Sequence, residues 1–355
     1  MERIISELTR QRFAALRDYL EPLPRSGPRS GRWLVLTHDN PDPDSLTAAG
    51  LLGQLLRQAF RQKVTVAYSG IIGRAENRQL AKTAGFKLSH VRHLRLGSYS
   101  HFALVDTQPR TGNNALPEDA QATLVIDHHP PRKTTLSAPV VDIRTDYGAT
   151  ATIVAEYLAA AGLQITRAGA TAVVYAIRSE TQDFARESAG PDKLVYDTLL
   201  PHANKRLLGK IQAAPLPLSY YRNLGEAIHN LEAVDTLVLS HLGEVEQPDI
   251  VPEIADLLLR LEGKTWSLCT GTYQDRIYLS IRTTNPRAQA GQIMRRLVGR
   301  KGKGGGHSMT AGGWVHHPGN GKATSAQRRL GTRLAKYLRK KPEKIVKLLA
   351  KLPAE

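Results

Sequence analysis

The chain has 355 residues, a formal charge of +17 and one cysteine, Cys269. That length accommodates two domains; no run of about 18 uncharged apolar residues offers a transmembrane helix, and one cysteine excludes both an intrachain disulfide and a cysteine-based zinc site. Residues 285–355 hold 17 Lys and Arg against Glu343 and Glu355, a balance of +15, so the remainder is nearly neutral. A basic C-terminal fifth suits a polyanionic partner, although a solubilising tail would have the same composition.

In chain order, residues 1–30 begin as a helix carrying Ile4, Ile5, Leu8, Phe13, Leu16 and Leu20 and end in a Pro/Gly/Arg loop. Glu2, Arg3 and Glu7 stand where a signal peptide needs an apolar core, so the expected location is a reducing cytoplasm. Residues 33–37 (WLVLT) form a buried strand that delivers His38, with Asp42 and Asp44 in the following loop and Ser45 as expected N-cap of a helix to about Phe60. Strands follow at 63–69, 101–105 and 122–130 (ATLVIDHHP), with a short one at 140–143; helices are expected at 74–84, 149–162 and 168–179. Strands alternating with helices define an α/β, doubly wound parallel sheet over residues 1–190.

Proline-rich residues 191–232 read as a connector. A smaller α/β domain follows at 233–320, with a strand from Val234, a helix at 250–261 and a strand pair turning near Gln274 and Asp275. After a helix at 287–298 comes a glycine-rich loop containing Gly304, Gly305, Gly306 and His307. Residues 321–355 read as a basic helical tail. Leu330, Leu334, Tyr337 and Leu338 make one apolar stripe; Ile345, Val346, Leu348, Leu349 and Leu352 make another beyond Pro342.

Three strands thus end in His38, in Asp106 and in Asp127, His128 and His129. Right-handed crossovers bring parallel strand ends to one edge of the sheet, where ligands bind. Each group has an ordinary structural use, since Asn-Pro-Asp-Pro-Asp is turn chemistry and Asp106 can cap the turn before Pro109. Together, however, crowded carboxylates call for a cation. Carboxylate and imidazole donors without thiolate suit manganese, magnesium or zinc. There are more such donors than one ion needs, and two ions sharing a carboxylate serve in-line displacement at phosphorus. Three glycines before His307 leave backbone amides free to cradle an anion, or simply make a flexible turn.

With His38, Asp42 and Asp44, then Asp106, then Asp127-His128-His129 in this order, the chain resembles the DHH family of phosphoesterases. Within it, the likeness is to the two-domain oligoribonuclease and 3′-phosphoadenosine-5′-phosphate phosphatase (nanoRNase) group, from about Trp33 to Gly313. The resemblance implies one metal on His38, Asp42 and Asp106 and a second on Asp44, Asp106 and His128. It implies that His129 faces the scissile phosphate and that Asp127 orients the histidine pair. A further aspartate ligand of the family corresponds to Glu180 in YAIRSETQDF, with Asp183 the alternative, three residues on. The Gly304–His307 run matches a Gly-Gly-Gly-His signature that grips substrate phosphate, continued by Thr310, Ala311 and Gly312 with Thr in place of the usual Ala. Arg282 matches a substrate-contacting arginine.

The expected protein is a two-metal phosphoesterase, manganese first and magnesium second, acting on short single-stranded oligonucleotides or phosphorylated nucleotides. A homodimer is compatible with it, and no membrane partner is expected. Competing readings are a cyclic-dinucleotide phosphodiesterase and a nucleic-acid- or nucleotide-binding protein with weakened catalysis, the latter motivated by Glu180. Inorganic pyrophosphatase shares the metal cluster but explains the glycine run and basic tail less well.

Overall fold

Uninterrupted Leu, Val and Ile runs become strands buried on both faces, as a parallel sheet requires. The computed structural model describes residues 1–23, 31–185, 190–306, 308–317 and 323–349, with only the backbone of 323 and 324. The loop expected before residue 31, His307 and Leu352 lie outside the described residues. The chain divides into two compact units, Met1–Ala214 and Pro215–Glu355.

In the first unit the strands are β1 (Arg32–Asp39), β2 (Lys63–Ser69), β3 (Leu88–His90), β4 (His101–Val105), β5 (Leu124–Asp127) and β6 (Val140–Ile143). All neighbours are parallel, in the order β3-β2-β1-β4-β5-β6. The chain builds outward from β1 through β3, then returns to lay β4 on the other flank of β1. Leu36 lies opposite Leu104, so His38 and Asp106 open on one crevice at this switch point. The helices are α1 (Glu7–Leu20), α2 (Pro43–Gln58), α3 (Ala75–Thr83), α4 (Thr150–Ala160), α5 (Arg167–Thr181), α6 (Gly190–Leu199) and α7 (Lys205–Gln212). Asp42, not Ser45, caps α2: its side chain accepts from the Ser45 amide at 2.9 Å. Pro43 explains the shift, because its fixed φ and missing N–H suit the first helical position.

The proline-rich stretch is shared between the units. Val195, Leu199, Leu208 and Ile211 bury α6 and α7 in the first core, while α8 (Leu218–His229) joins the second through Ala227.

The second unit has a mixed sheet of β7 (Glu232–Val234), β8 (Leu237–Glu244), β9 (Trp266–Tyr273), β10 (Arg276–Thr283), β11 (Gly302–Gly306), β12 (Thr310–His316) and β13 (Val346–Lys347). Its order is β11-β12-β10-β9-β8-β7-β13, with β8 and β9 the parallel pair. Its helices are α8, α9 (Ile250–Leu258), α10 (Ala290–Val298) and α11 (Ala323–Tyr337). Ile277, Leu279, Ile281, Ala311 and Val315 share a core with α10 and α11; Val238, Leu242 and Cys269 share another with α8 and α9.

Two expectations fail here. The glycine-rich loop is strand β11, and glycine is what lets it lie so close: a Cβ at Gly302 would stand 1.7 Å from the Trp314 carbonyl oxygen. The second tail stripe is no helix. A single 3₁₀ turn at Pro342–Lys344 runs into β13, which extends the sheet edge beside β7.

Helix α11 packs its apolar stripe into the core of the second unit, where Leu330, Leu334 and Ala335 are all buried. Leu334→Ala should therefore lower the unfolding free energy of the full chain by about 2–5 kcal/mol, read from denaturant unfolding; an unchanged midpoint would return α11 to the surface. No helix among the described residues is long and apolar enough to cross a membrane.

Candidate metal centre

Asp127 closes β5 by gathering the chain around its carboxylate. Oδ1 accepts from the backbone amides of His128 (2.8 Å) and His129 (3.1 Å) and from Nδ1 of His129 (2.8 Å). Its other oxygen accepts from Nε2 of Gln108 at 2.7 Å. Gln108, 2% exposed, also donates to the carbonyls of His129 and Pro130 and accepts from Arg132 N and Thr135 Oγ1. The turn that aims both histidines is therefore fixed by one carboxylate and one amide.

The imidazoles are oriented by backbone carbonyls. Nδ1 of His38 lies 2.8 Å from the Asp39 oxygen, and Nδ1 of His128 lies 3.1 Å from the Tyr147 oxygen. A carbonyl only accepts, so each Nδ1 carries a proton and Nε2 is the nitrogen that offers a lone pair when the ring is neutral. Both Nε2 atoms face Asp106, that of His38 3.5 Å from Oδ2 and that of His128 3.5 Å from Oδ1. Asp106 itself sits at φ 58°, 4% exposed, and accepts from Thr150 Oγ1 at 3.0 Å. Asp42 Oδ1 is 3.7 Å from Nε2 of His38. Asp44, in the first turn of α2, accepts from the amides of Thr150 and Ala151 at 2.7 Å each, at the N-terminus of α4; each oxygen keeps a second lone pair.

Electrostatics marks the site as one short of positive charge. Burial opposes ionisation of His38 and His128, yet Asp106 and its neighbours hold His38 well above the usual imidazole range and His128 at about 9. Burial, reinforced by Asp106, pushes Asp44 well above the usual carboxylate range. Burial together with Asp42 and Asp106 raises Glu180 to about 7. Asp42 and Asp127 move the other way despite burial, lowered by His38 and His129 respectively.

The residues fit a divalent cation. Donor atoms of Asp106 with His38 and Asp42, and of Asp106 with His128 and His129, converge within 4.8 Å, and buried Nε2 of His128 has no hydrogen-bond partner. Oxygen and imidazole donors without sulfur suit a hard or borderline ion.

The structure brings together His38, Asp42, Asp44, Asp106, Asp127, His128 and His129, and Glu180 lies close enough for its charge to act on them. It does not bring Asp183 there. Helix α5 ends at Thr181, Gln182 and Asp183 take left-handed backbone, and exposed Asp183 pairs with Arg178 at 2.5 Å. In the second unit, Gly304, Gly305 and Gly306 lie in β11. Arg282 is held by Asp256 at 2.6 Å and Ser280 at 2.8 Å. Sequence reasoning missed Gln108 and Thr150; the one available signal was a polar residue two places after Asp106 in DTQP.

Donors gathered at the carboxyl edge of a parallel sheet make this a metal-site α/β protein. Its family is equally plain: residues 32–177 match the DHH family, N-terminal domain, and residues 235–330 match the DHHA1 domain, so the chain belongs to the DHH family. It is 33% identical over 279 residues to an uncharacterised protein of Methanocaldococcus jannaschii, which covers 78% of this chain and 56% of the relative. The chain thus spans little more than half of that relative. An exopolyphosphatase-related protein from Bacteroides fragilis shares the fold at TM-score 0.71 and 16% identity, over 92% of this chain and 96% of that one. A pGpG-specific phosphodiesterase, PggH, from Vibrio cholerae aligns over 86% of this chain and 99% of its own at 14% identity and TM-score 0.34.

Two outcomes follow from the geometry. Gln108→Leu strips partners from Asp127, Arg132 and Thr135, and should cost roughly 1–3 kcal/mol for each buried group left unpaired, measured by thermal unfolding. The second concerns pH. His128 and Glu180 have folded-state pKa values raised to about 9 and about 7, so the metal-free native state holds more protons than the unfolded one as pH rises through that range. Its melting temperature should fall between about pH 6 and about pH 9, whereas a divalent ion, competing with those protons, should bind more tightly over the same interval. Calorimetry with and without manganese checks both slopes; a melting temperature that rises with pH in the metal-free protein contradicts the charge assignment.

Proposed function

We propose that the chain is a two-metal phosphoesterase that hydrolyses short single-stranded oligonucleotides, in the manner of nanoRNases, and 3′-phosphoadenosine 5′-phosphate. The observation that carries this reading is the shared carboxylate: one oxygen of Asp106 meets His38 and the other meets His128, each at 3.5 Å. A ligand bridging two ions needs that disposition. In this reading His38, Asp42 and Asp106 would hold one ion, and Asp44, Asp106, His128 and Glu180 would hold the other. Manganese is the expected ion, with magnesium the alternative, and lone Cys269 suits a reducing cytoplasm.

When bound, the ions neutralise phosphoryl charge and activate water. The chain's own groups do the rest. Asp127 ties down Nδ1 of His129 and, with Asp106, raises that ring's hold on a proton against burial, so the protonated ring would present its Nε2–H to a phosphoryl oxygen, where a fixed donor stabilises developing charge. Gln108 keeps Asp127 from turning away. Arg282, Gly304, Gly305, Gly306 and His307 would bind substrate phosphate.

A panel of dinucleotides, short RNA and DNA, cyclic dinucleotides and 3′-phosphoadenosine 5′-phosphate, with manganese, tests the reading. Turnover of the linear substrates that stops on chelation supports it; turnover of cyclic substrates alone favours a cyclic-dinucleotide phosphodiesterase, and no turnover of any phosphoester refutes it. Asp106→Asn is the sharper variant than Ala, because Asn tolerates left-handed backbone. It should lower turnover by more than about 100-fold, beyond the loss seen for groups that merely support a ligand. Glu180→Ala should empty the second ion site, seen by anomalous diffraction at the manganese edge, and Asp183→Ala should not.

A further inference from the structure

Among the described residues of the second unit, the helices cover one face of its sheet only in part. Register places Tyr278, Trp314 and Lys303 in one row across β10, β12 and β11, and Ser280, Gly312 and Gly305 in the next. Helices α8 and α9 cover the β8–β10 side of this face, and α10 packs on the opposite face, where Met294 lies beneath Gly304 and Gly313. Trp314 is only half-buried, and Lys303 and Gly312 are exposed. On the His316 side of the indole, the Arg276 guanidinium stands 4.1 Å from the ring centroid. On the other side along the strand, Gly312 and its partner Gly305 carry no side chain. Packing does not demand glycine at those two places: a Cβ at Gly305 meets nothing within 4 Å, and one at Gly312 meets only a carbonyl oxygen at 4.0 Å.

We infer that Trp314 and the bare strand beside it form a stacking platform for a nucleobase of a single-stranded oligonucleotide. The ligand class rests on the phosphoester reading above, and charge selects it. Arg276 and Lys303 flank the indole, and exposed Arg300 and Lys301 lead into β11, so a planar ring on an anionic backbone matches the surface. Arg276 holds the indole in place before any base arrives, which lowers the ordering cost of binding. Base stacking on an aromatic side chain tolerates any sequence, so the platform would add affinity without strong base preference.

Tryptophan fluorescence gives a direct readout, because Trp33 and Trp266 are buried and Trp314 is the accessible one. The full chain is titrated with a 5′-phosphorylated adenine dinucleotide, metal chelated so that nothing turns over, and separately with inorganic phosphate. The dinucleotide should quench emission saturably and phosphate should not. Trp314→Ala should weaken dinucleotide binding, measured by calorimetry, roughly 5- to 150-fold, the range expected for losing one stacked base. Trp314→Phe should recover most of that loss. Gly312→Val, which the strand accommodates, should weaken binding with the melting temperature unchanged. Absence of quenching, or binding indifferent to both Trp314→Ala and Gly312→Val, overturns the platform. Quenching by a dinucleotide that is never hydrolysed with manganese would sink the phosphoesterase reading and leave the platform standing; hydrolysis with no role for Trp314 would do the reverse.

Discussion

The arrangement of the first unit turns on negative charge confined around Asp106. A carboxylate 4% exposed beside Asp42, Asp44 and Glu180 crowds acidic groups where water cannot screen them, which calls for something positive nearby. The surrounding features all respond to that problem. Two imidazoles whose hold on a proton is strengthened face it through Nε2, the N-terminus of α4 lends two amides to Asp44, and Thr150 donates a hydroxyl hydrogen bond to Asp106 itself. Asp106 also stands in left-handed backbone, a conformation that an aspartate adopts at modest cost. That bend takes the side chain out of the strand direction at the point where the sheet reverses its order.

Behind the centre lies a second charged cluster, built on buried Asp142, Arg144 and Glu156. Arg144 donates to Asp142 at 2.7 Å, to Glu156 at 3.1 Å, to Thr9 at 2.8 Å and to the Tyr147 hydroxyl at 3.0 Å, with its guanidinium 4.9 Å from the Tyr147 ring centroid. Buried ion networks are weak sources of net stability, and their better-attested use is to fix one arrangement among many. Here the arrangement fixed is that of Tyr147, whose backbone carbonyl sets the tautomer of His128. Ser6 and Thr9 reach the same cluster from α1 through Glu156. The N-terminal helix and the imidazole are thereby parts of one hydrogen-bonded system.

The parallel sheet and the donor-bearing strand ends were legible because their signal is local: a continuous apolar run broken by Asp or His. What escaped lacked such a signal. Strand β3 is three half-buried residues with no apolar run, and β11 is glycine with one lysine, so the two-residue alternation that marks strands has no side chains to show itself. The stripe after Pro342 has helical spacing, yet the sheet edge beside β7 gave those residues a better partner. Asp183 looked equivalent to Glu180 only if the helix continued, and α5 stops at Thr181. Gln108 is the instructive omission: its importance comes from groups 19 to 27 residues away, which no local pattern contains.

The clamp on Asp44 has a consequence for how the molecule comes into being. Its two amide donors arrive 106 and 107 residues later in the chain, and Thr9 meets Glu156 across 147 residues. Contacts so distant in sequence form only after long loops have closed, which makes them late and slow to assemble. A growing polypeptide that has emitted β1 and α2 therefore carries Asp42 beside His38 and the Ser45 amide but Asp44 without its two amide donors, and no fragment short of α4 can assemble the whole centre. An ion held by the full donor set would thus wait for α4 and α5, and would tighten a fold largely formed rather than seed it.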